Sequence, residues 1–88
     1  MEDRMTRIRD RLQKALTPAT MDLIDESHLH AGHAGAKSGR GHYRLRIVSS
    51  RFAGLNPVQR HRLVYDALGD LMQTDIHALS IDASAPDA

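Results

Sequence analysis

Cysteine and tryptophan are absent from this chain of 88 residues, and its aromatic side chains are two tyrosines and one phenylalanine. Without cysteine the chain can form no disulfide framework and can offer no thiolate to a metal ion. With so few aromatic rings, it has few platforms on which nucleic-acid bases could stack. Disulfide-stabilised scaffolds and metal sites built from the chain's own thiolates are therefore excluded.

Long apolar runs and an excess of one charge are missing as well. No apolar segment approaches the length that spans a membrane, and residues 1–4 (MEDR) lack the apolar core of a signal peptide. The net charge is +1, so no strong field draws the whole molecule to nucleic acid or to a membrane. There is no nucleophile motif, no pair of carboxylates in a pocket-forming context, and no phosphate loop after a strand. We therefore predict a cytoplasmic protein that binds no membrane and is not an enzyme.

Histidine is abundant, with six residues. His28, His30 and His33 lie in the glycine-rich stretch 27–41, which predicts a long loop. His77 lies at the start of the last predicted strand. Neutral imidazole is the commonest metal ligand in proteins. Because the chain has imidazole but no thiolate, it can supply only part of a soft-metal site, and a partner must bring the sulfur.

Periodicity predicts the order helix, strand, loop, strand, helix, strand. Apolar residues at helical spacing indicate a first helix over 1–16, which ends at Thr17-Pro18 because a residue before proline is pushed out of the helical region. Alternation predicts strands over 20–26 and around 43–47. The pattern is that of a single small α+β domain.

The second helix has a well-defined predicted start. Asn56 is a good N-cap and Pro57 suits the first helical position. The apolar stripe that begins at Val58 and includes Tyr65 extends the predicted helix to about Gln73.

The last predicted strand, 76–83, carries His77 on the same face as Leu79 and Ile81, the face that the helices cover. The helix before it has the right length for a crossover to a parallel neighbour. In that topology the second and third strands begin at the same end of the sheet. We therefore expect His77 to lie beside the glycine-rich loop, half shielded at the mouth of the core.

Two segments resemble the signature of the BolA family. They are residues 49–65 (SSRFAGLNPVQRHRLVY) and 76–81 (IHALSI), and the resemblance extends from the first helix to Ile81. It implies an α+β fold of the αββαβ, class II KH-like type, with a three-stranded mixed sheet and helices packed on one face. This domain would occupy 1–83, and 84–88 would be a short disordered tail.

The resemblance also implies a partner and a cofactor. BolA-like proteins form heterodimers with monothiol glutaredoxins, and the two proteins and glutathione share a 2Fe–2S cluster. The histidine of the last motif, here His77, would be the fixed cluster ligand. The second ligand would come from the loop, best matched by Gly32-His33, with His30 as the alternative. The free chain would bind no cofactor tightly and would be a monomer or a weak homodimer.

The chemistry of such a site suits a chain that has histidine but no cysteine. A 2Fe–2S cluster needs four ligands, usually thiolates, and two imidazoles on one iron raise its reduction potential. They also make the site sensitive to protonation. A shared cluster with one mobile ligand suits transfer, or iron and redox sensing, better than catalysis.

Other interpretations stay open. His77 alone could be an ordinary residue at a strand edge, and the loop histidines could bind zinc or nickel weakly. We expect His42, on the open face of the second strand, to have no special role, and His61 to contribute to packing. The alternative function is that of a DNA-binding transcriptional regulator, in which a KH-like fold presents a basic face to duplex DNA. Its candidate contacts are Arg44, Arg46, Arg60 and Arg62, and the low net charge counts against it.

Overall fold

The computed structural model describes residues 3–27 and 41–86. Three strands, β1 (Thr20–Asp25), β2 (Gly41–Val48) and β3 (Ile76–Ser84), form one sheet in the order β1-β2-β3. β1 is antiparallel to β2, and β2 is parallel to β3. The predicted mixed three-stranded sheet is therefore confirmed. The last residue of β3 lies one position beyond the predicted domain boundary.

Helix α1 (Arg4–Leu16) begins and ends on identifiable caps. The side chain of Asp3 accepts a hydrogen bond of 2.8 Å from the backbone N–H of Thr6 and so satisfies a free donor of the first turn. Thr17, with φ 39°, ends the helix in the left-handed region just before a proline. The helix buries one stripe of side chains against the sheet, namely Ile8, Leu12 and Leu16.

Helix α2 (Pro57–Leu68) starts as predicted and ends earlier than predicted. Asn56 and Gln59 form a capping box, with reciprocal hydrogen bonds of 2.8 and 2.9 Å. Gly69 ends the helix with φ 55° and ψ −127°, a conformation that an L side chain rarely adopts. A separate short helix, α3 (Leu71–Thr74), follows before β3.

The predicted apolar stripe of this helix was partly wrong. Val58 is 60% exposed and Tyr65 is 41% exposed, whereas Val64 and Leu68 are buried. Both exposed residues precede the break at Gly69, and Leu71 beyond it is buried as the stripe predicted.

The core lies between the helices and one face of the sheet. Phe52, in the short 3-10 turn Ser50–Phe52 between β2 and α2, is fully buried at its centre. Ser49 is also fully buried, and its hydroxyl donates a hydrogen bond of 2.6 Å to the carbonyl of Leu16. The sheet contributes Leu23, Tyr43, Leu45, Ile47 and Ile76. The opposite face of β2, which carries Arg44 and Arg46, is exposed.

None of the helices in the described part of the chain is long and apolar enough to cross a membrane.

Candidate metal centre

His77 lies at the start of β3, at the end of the sheet where β2 also begins, because the two strands are parallel. The segment 28–40 leads into β2 and joins the sheet at this same end, as the sequence predicted. His30 and His33, the predicted loop ligands, lie in that segment and outside the described residues, as does His28. Their contact with His77 therefore stays a prediction.

A β-bulge sets the direction of His77. Gly41 of β2 pairs with Ile76 of β3, but the next residue, His42, pairs with Ala78. β3 therefore carries one extra residue, His77, at this point. Such a bulge bends the strand and redirects a side chain. Here Ile76 is buried and His77 is exposed.

The bulge overturns one expectation about His77. The alternation rule placed it with Leu79 and Ile81 on the helix-covered face, half shielded, and this was wrong. The extra residue breaks the period of two, so that Ile76 and Leu79, three positions apart, both face the core side. That spacing of two apolar residues was the sequence signal for the bulge.

The imidazole rings of His42 and His77 lie next to each other across β2 and β3. Their centroids are 5.0 Å apart and their planes are inclined at 49°. Two imidazoles that bind one tetrahedral metal ion through bonds of about 2.0–2.1 Å have centroids on the order of 5 Å apart. The spacing of the two rings therefore fits ligation of a common metal atom.

Sequence reasoning missed His42. It assigned the residue to the open face of β2, which is correct, but it expected no special role for His42 itself. A signal was present, because Gly41-His42 is also a Gly-His pair, and it forms the first two residues of β2. His42 was not among the predicted ligands, and the predicted second ligands His33 and His30 lie outside the described residues.

The backbone of His42 is held on both sides by the end of β1. Its N–H donates a hydrogen bond of 3.0 Å to the hydroxyl of Ser27, and its carbonyl accepts one of 2.8 Å from the N–H of Glu26. The Glu26 carboxylate lies 3.5 Å from Nε of Arg44. A groove of about 290 Å³ beside the ring is lined by Glu26, His42, Tyr43, Ala78, Leu79 and Ser80.

A buried carboxylate lies just before the bulge. Asp75 is 7% exposed, its carboxylate accepts a hydrogen bond from Arg7 of α1, and Nε of Arg4 lies 3.7 Å from the same oxygen. The Thr74 hydroxyl donates a further hydrogen bond of 2.8 Å. The hydrogen bond from Arg7 holds the pKa of Asp75 below its ordinary value, against the opposing effect of burial. Asp75 is therefore a permanent anion at neutral pH.

Across residues 3–27 and 41–86, no cluster of three or more histidine, cysteine, aspartate or glutamate side chains is placed to hold a metal ion. His42 and His77 therefore offer two ligands. A complete set of four needs donors from residues 28–40 or from another molecule.

The four arginines of the predicted basic face do not form one surface. Arg44 and Arg46 are exposed on the open face of the sheet, whereas Arg60 and Arg62 belong to α2, which packs on the other face. Arg60 is held within the fold, since its guanidinium donates to the carbonyls of Leu55 at 2.9 Å and Ala83 at 3.1 Å. Arg62 is exposed.

Comparison with protein families and with solved structures gives a consistent result. The family model described as BolA-like protein matches residues 12–88. The BolA domain of SufE1 from Arabidopsis thaliana superposes with a TM-score of 0.84 at 45% identity, over 98% of this chain and 95% of that one. The solution structure of BolA1 from Mus musculus gives a TM-score of 0.78 at 43% identity, over 98% of this chain and 68% of that one.

Among curated proteins the chain is similar to three relatives of note. It is 45% identical to "Protein BOLA1, chloroplastic" of Arabidopsis thaliana, over 98% of this chain and 56% of that protein. It is 46% identical to human "BolA-like protein 1", over 90% of this chain and 56% of that protein. It is 36% identical to "DNA-binding transcriptional regulator BolA" of Escherichia coli, over 85% of this chain and 69% of that protein.

The chain thus spans about half the length of the first two of these relatives. The names of two Arabidopsis relatives place them in chloroplasts, or in chloroplasts and mitochondria. The cytoplasmic location of this chain accordingly stays a prediction.

Proposed function

The chain belongs to the BolA-like family, and on that basis we propose that it is a non-enzymatic partner of a monothiol glutaredoxin. The two proteins would form a heterodimer that shares a bridging 2Fe–2S cluster. The complex would act in iron–sulfur cluster transfer or in iron and redox sensing.

The observation that carries the proposal is the pairing of His42 and His77, whose ring centroids lie 5.0 Å apart on the open face. His77 supplies the first imidazole to the cluster. The second imidazole comes from His42 or from the loop residues His33 and His30. Both ligands from this chain bind one iron, and if the second ligand is His42, the ring spacing of 5.0 Å suits a single metal atom.

The absence of cysteine determines the partner's contribution. A 2Fe–2S cluster has four ligands, and thiolate is the usual one. A glutaredoxin with one active-site cysteine, together with one glutathione thiolate, completes the set. Because neither protein alone offers four ligands, the cluster holds the complex together and its loss weakens the complex.

Imidazole ligation fits a cluster that is handed over or sensed. When bound, the cluster would supply iron that can be oxidised and reduced and whose ligands can be replaced by the thiolates of an acceptor. His42 and His77 lie at the edge of the sheet where β2 and β3 begin, and the His77 side chain is exposed, so an acceptor can reach the site.

The test is reconstitution with a monothiol glutaredoxin, glutathione, iron and sulfide, followed by visible absorption and circular dichroism. His77→Ala should change the spectrum and shorten the cluster lifetime at least about ten-fold. His42→Ala, His33→Ala and His30→Ala identify the second ligand, because only one of them should change the spectrum to the same degree. His61→Ala is the matched control, since His61 lies on α2 away from this edge. A His77→Ala complex with the parent's spectrum and lifetime would refute the proposal.

A second candidate function is DNA binding, which two observations favour. Arg44 and Arg46 are exposed side by side on the open face, and one relative is named a DNA-binding transcriptional regulator. A groove of about 380 Å³ along β1 reaches these two arginines and is lined by Arg9, Met21, Asp22, Leu23, Ile24, Arg44 and Arg46. Phosphate contacts by arginine give affinity that falls with salt.

Duplex DNA titration at several salt concentrations tests this function. If the open face binds, Arg44→Ala with Arg46→Ala weakens binding and flattens the salt dependence, whereas Arg62→Ala on α2 does not. The opposite pattern would assign DNA to the helical face. Binding that none of these changes affects would remove the DNA hypothesis.

A further inference from the structure

Asp75, the residue just before β3, is linked to Arg7 of helix α1 over a sequence separation of 68 residues. Its carboxylate accepts from Arg7 and from Thr74, and Arg4 adds a second guanidinium nearby. The Asp75 side chain is 10% exposed and that of Arg7 is 42% exposed, so the carboxylate is the shielded end of the pair. Removing Arg7 takes away the guanidinium that hydrogen-bonds this shielded carboxylate and leaves only Thr74 and the more distant Arg4 as the partners named above.

The main chain of Asp75 has a second, independent connection. Its carbonyl accepts a hydrogen bond of 2.9 Å from the N–H of Gly41, the first residue of β2. Ile76, which pairs with Gly41, is buried at 1% exposure. The chain is thus fixed at two consecutive positions just before the extra residue of the bulge.

We propose that the Arg7–Asp75 pair is a positioning device for His77. Because Asp75 is held by α1 and Ile76 by the core, the extra residue must leave the strand ladder at position 77, on the side of His42. The functional consequence rests on the proposed cluster-binding role of His77. Arg7 and Asp75 would not touch the cluster and would act through the direction of the His77 ring.

A neighbouring ion pair from the same helix provides a matched control. Nη1 of Arg11, one turn beyond Arg7, lies 3.1 Å from the carboxylate of Asp70 and 3.0 Å from the carbonyl of Leu68. These contacts hold the end of α2. Arg11→Gln therefore removes a contact between α1 and the α2–β3 region without touching the bulge.

The first measurement uses the chain alone. In the parent, two-dimensional NMR should show cross-relaxation between the ring protons of His42 and His77. Arg7→Gln should abolish or strongly reduce this signal, Arg7→Lys should restore part of it, and Arg11→Gln should leave it unchanged. Thermal melts of all variants record how much each one is destabilised.

The second measurement uses the reconstituted complex with a monothiol glutaredoxin and glutathione. Arg7→Gln should shorten the cluster lifetime about ten-fold and alter its visible circular dichroism, as the loss of a residue that orients a ligand does. Arg7→Lys should recover part of the lifetime. Arg11→Gln should match the parent even if it is equally destabilised.

The two proposals fail in different ways. If Arg7→Gln keeps the ring–ring signal and the cluster lifetime, or if Arg11→Gln impairs both equally, the positioning inference is wrong and the cluster proposal stands. If the parent complex holds no cluster, the proposed function is wrong, and the ring–ring signal of the free chain still decides the inference.

Discussion

The phenol ring of Tyr43 folds back over Gly41, two residues earlier on β2. A Cβ atom at position 41 would lie 2.5 Å from the Tyr43 hydroxyl oxygen and 2.6 Å from two carbons of its ring. Tyr43 is 3% exposed, so its ring has little room to move. Glycine is therefore required beside the bulge for steric reasons.

We expect Gly41→Ala to lower the free energy of unfolding by about 1–3 kcal/mol, the usual cost of inserting a carbon into a packed region. Urea unfolding measures this. Tyr43→Leu in the same chain should remove the obstacle, so the double variant should lose less stability than the sum of the two single variants. Simple additivity would show that the ring is not what excludes a side chain at position 41.

Gly69 ends α2 in a conformation with φ 55° and ψ −127°. Its Cβ would meet Nη1 of Arg11 at 3.6 Å, an ordinary contact, so the backbone conformation and not crowding disfavours a side chain. Gly69→Ala should therefore cost about 1–3 kcal/mol in unfolding free energy.

The control for Gly69→Ala is an alanine of opposite chirality at the same position. D-alanine at position 69, introduced by chemical ligation, adopts positive φ without strain and should restore most of the stability that L-alanine loses. Equal destabilisation by the two enantiomers would mean that the added methyl group, and not its handedness, causes the loss.

Asp3, which caps the start of α1, makes the stability of the fold depend on pH. Its hydrogen bonds from Thr6 lower the pKa of the Asp3 carboxyl below 3.8. A group whose pKa is lowered by folding stabilises the fold above its unfolded pKa, and this contribution is lost as the pH falls through the folded pKa. Asp3→Ala should thus lower Tm at pH 7, and the difference from the parent should shrink below about pH 4.

Asp3→Asn is the matched variant, because asparagine caps a helix without carrying a charge. Its Tm difference from Asp3→Ala should be nearly independent of pH in thermal melts between pH 2 and pH 7, roughly the range in which the carboxyl titrates. A pH-dependent difference between these two variants would assign the effect to a carboxylate elsewhere.

The sequence was sufficient for the topology because that topology follows from local signals. The Asn56-Pro57 start of α2, the alternation around Leu45 and the length of the crossover helix together imply a parallel β2–β3 pair, and the structure has it. The resemblance to the BolA family is confirmed by the family model over residues 12–88.

The candidate site was harder to predict, because its geometry depends on a one-residue shift in the pairing of β2 with β3. Strict alternation placed His77 on the covered face, and the pairing of His42 with Ala78 shows the extra residue that the Ile76–Leu79 spacing signals only weakly. The prediction that the second helix extends to Gln73 was wrong. Apolar Leu71 and Met72 keep the helical spacing in the sequence, although the chain changes direction at Gly69. The loop ligands His33 and His30, the glutaredoxin partner and the cluster remain predictions.

The account depends most on whether imidazoles of this chain bind the iron. The direct measurement is pulsed electron paramagnetic resonance of the reduced complex, with ¹⁵N-labelled histidine in this chain only. We predict strong coupling of the cluster to two ¹⁵N nuclei in the parent and to one in His77→Ala, and likewise to one in His42→Ala if His42 is the second ligand. A reduced cluster with no ¹⁵N coupling would contradict the account.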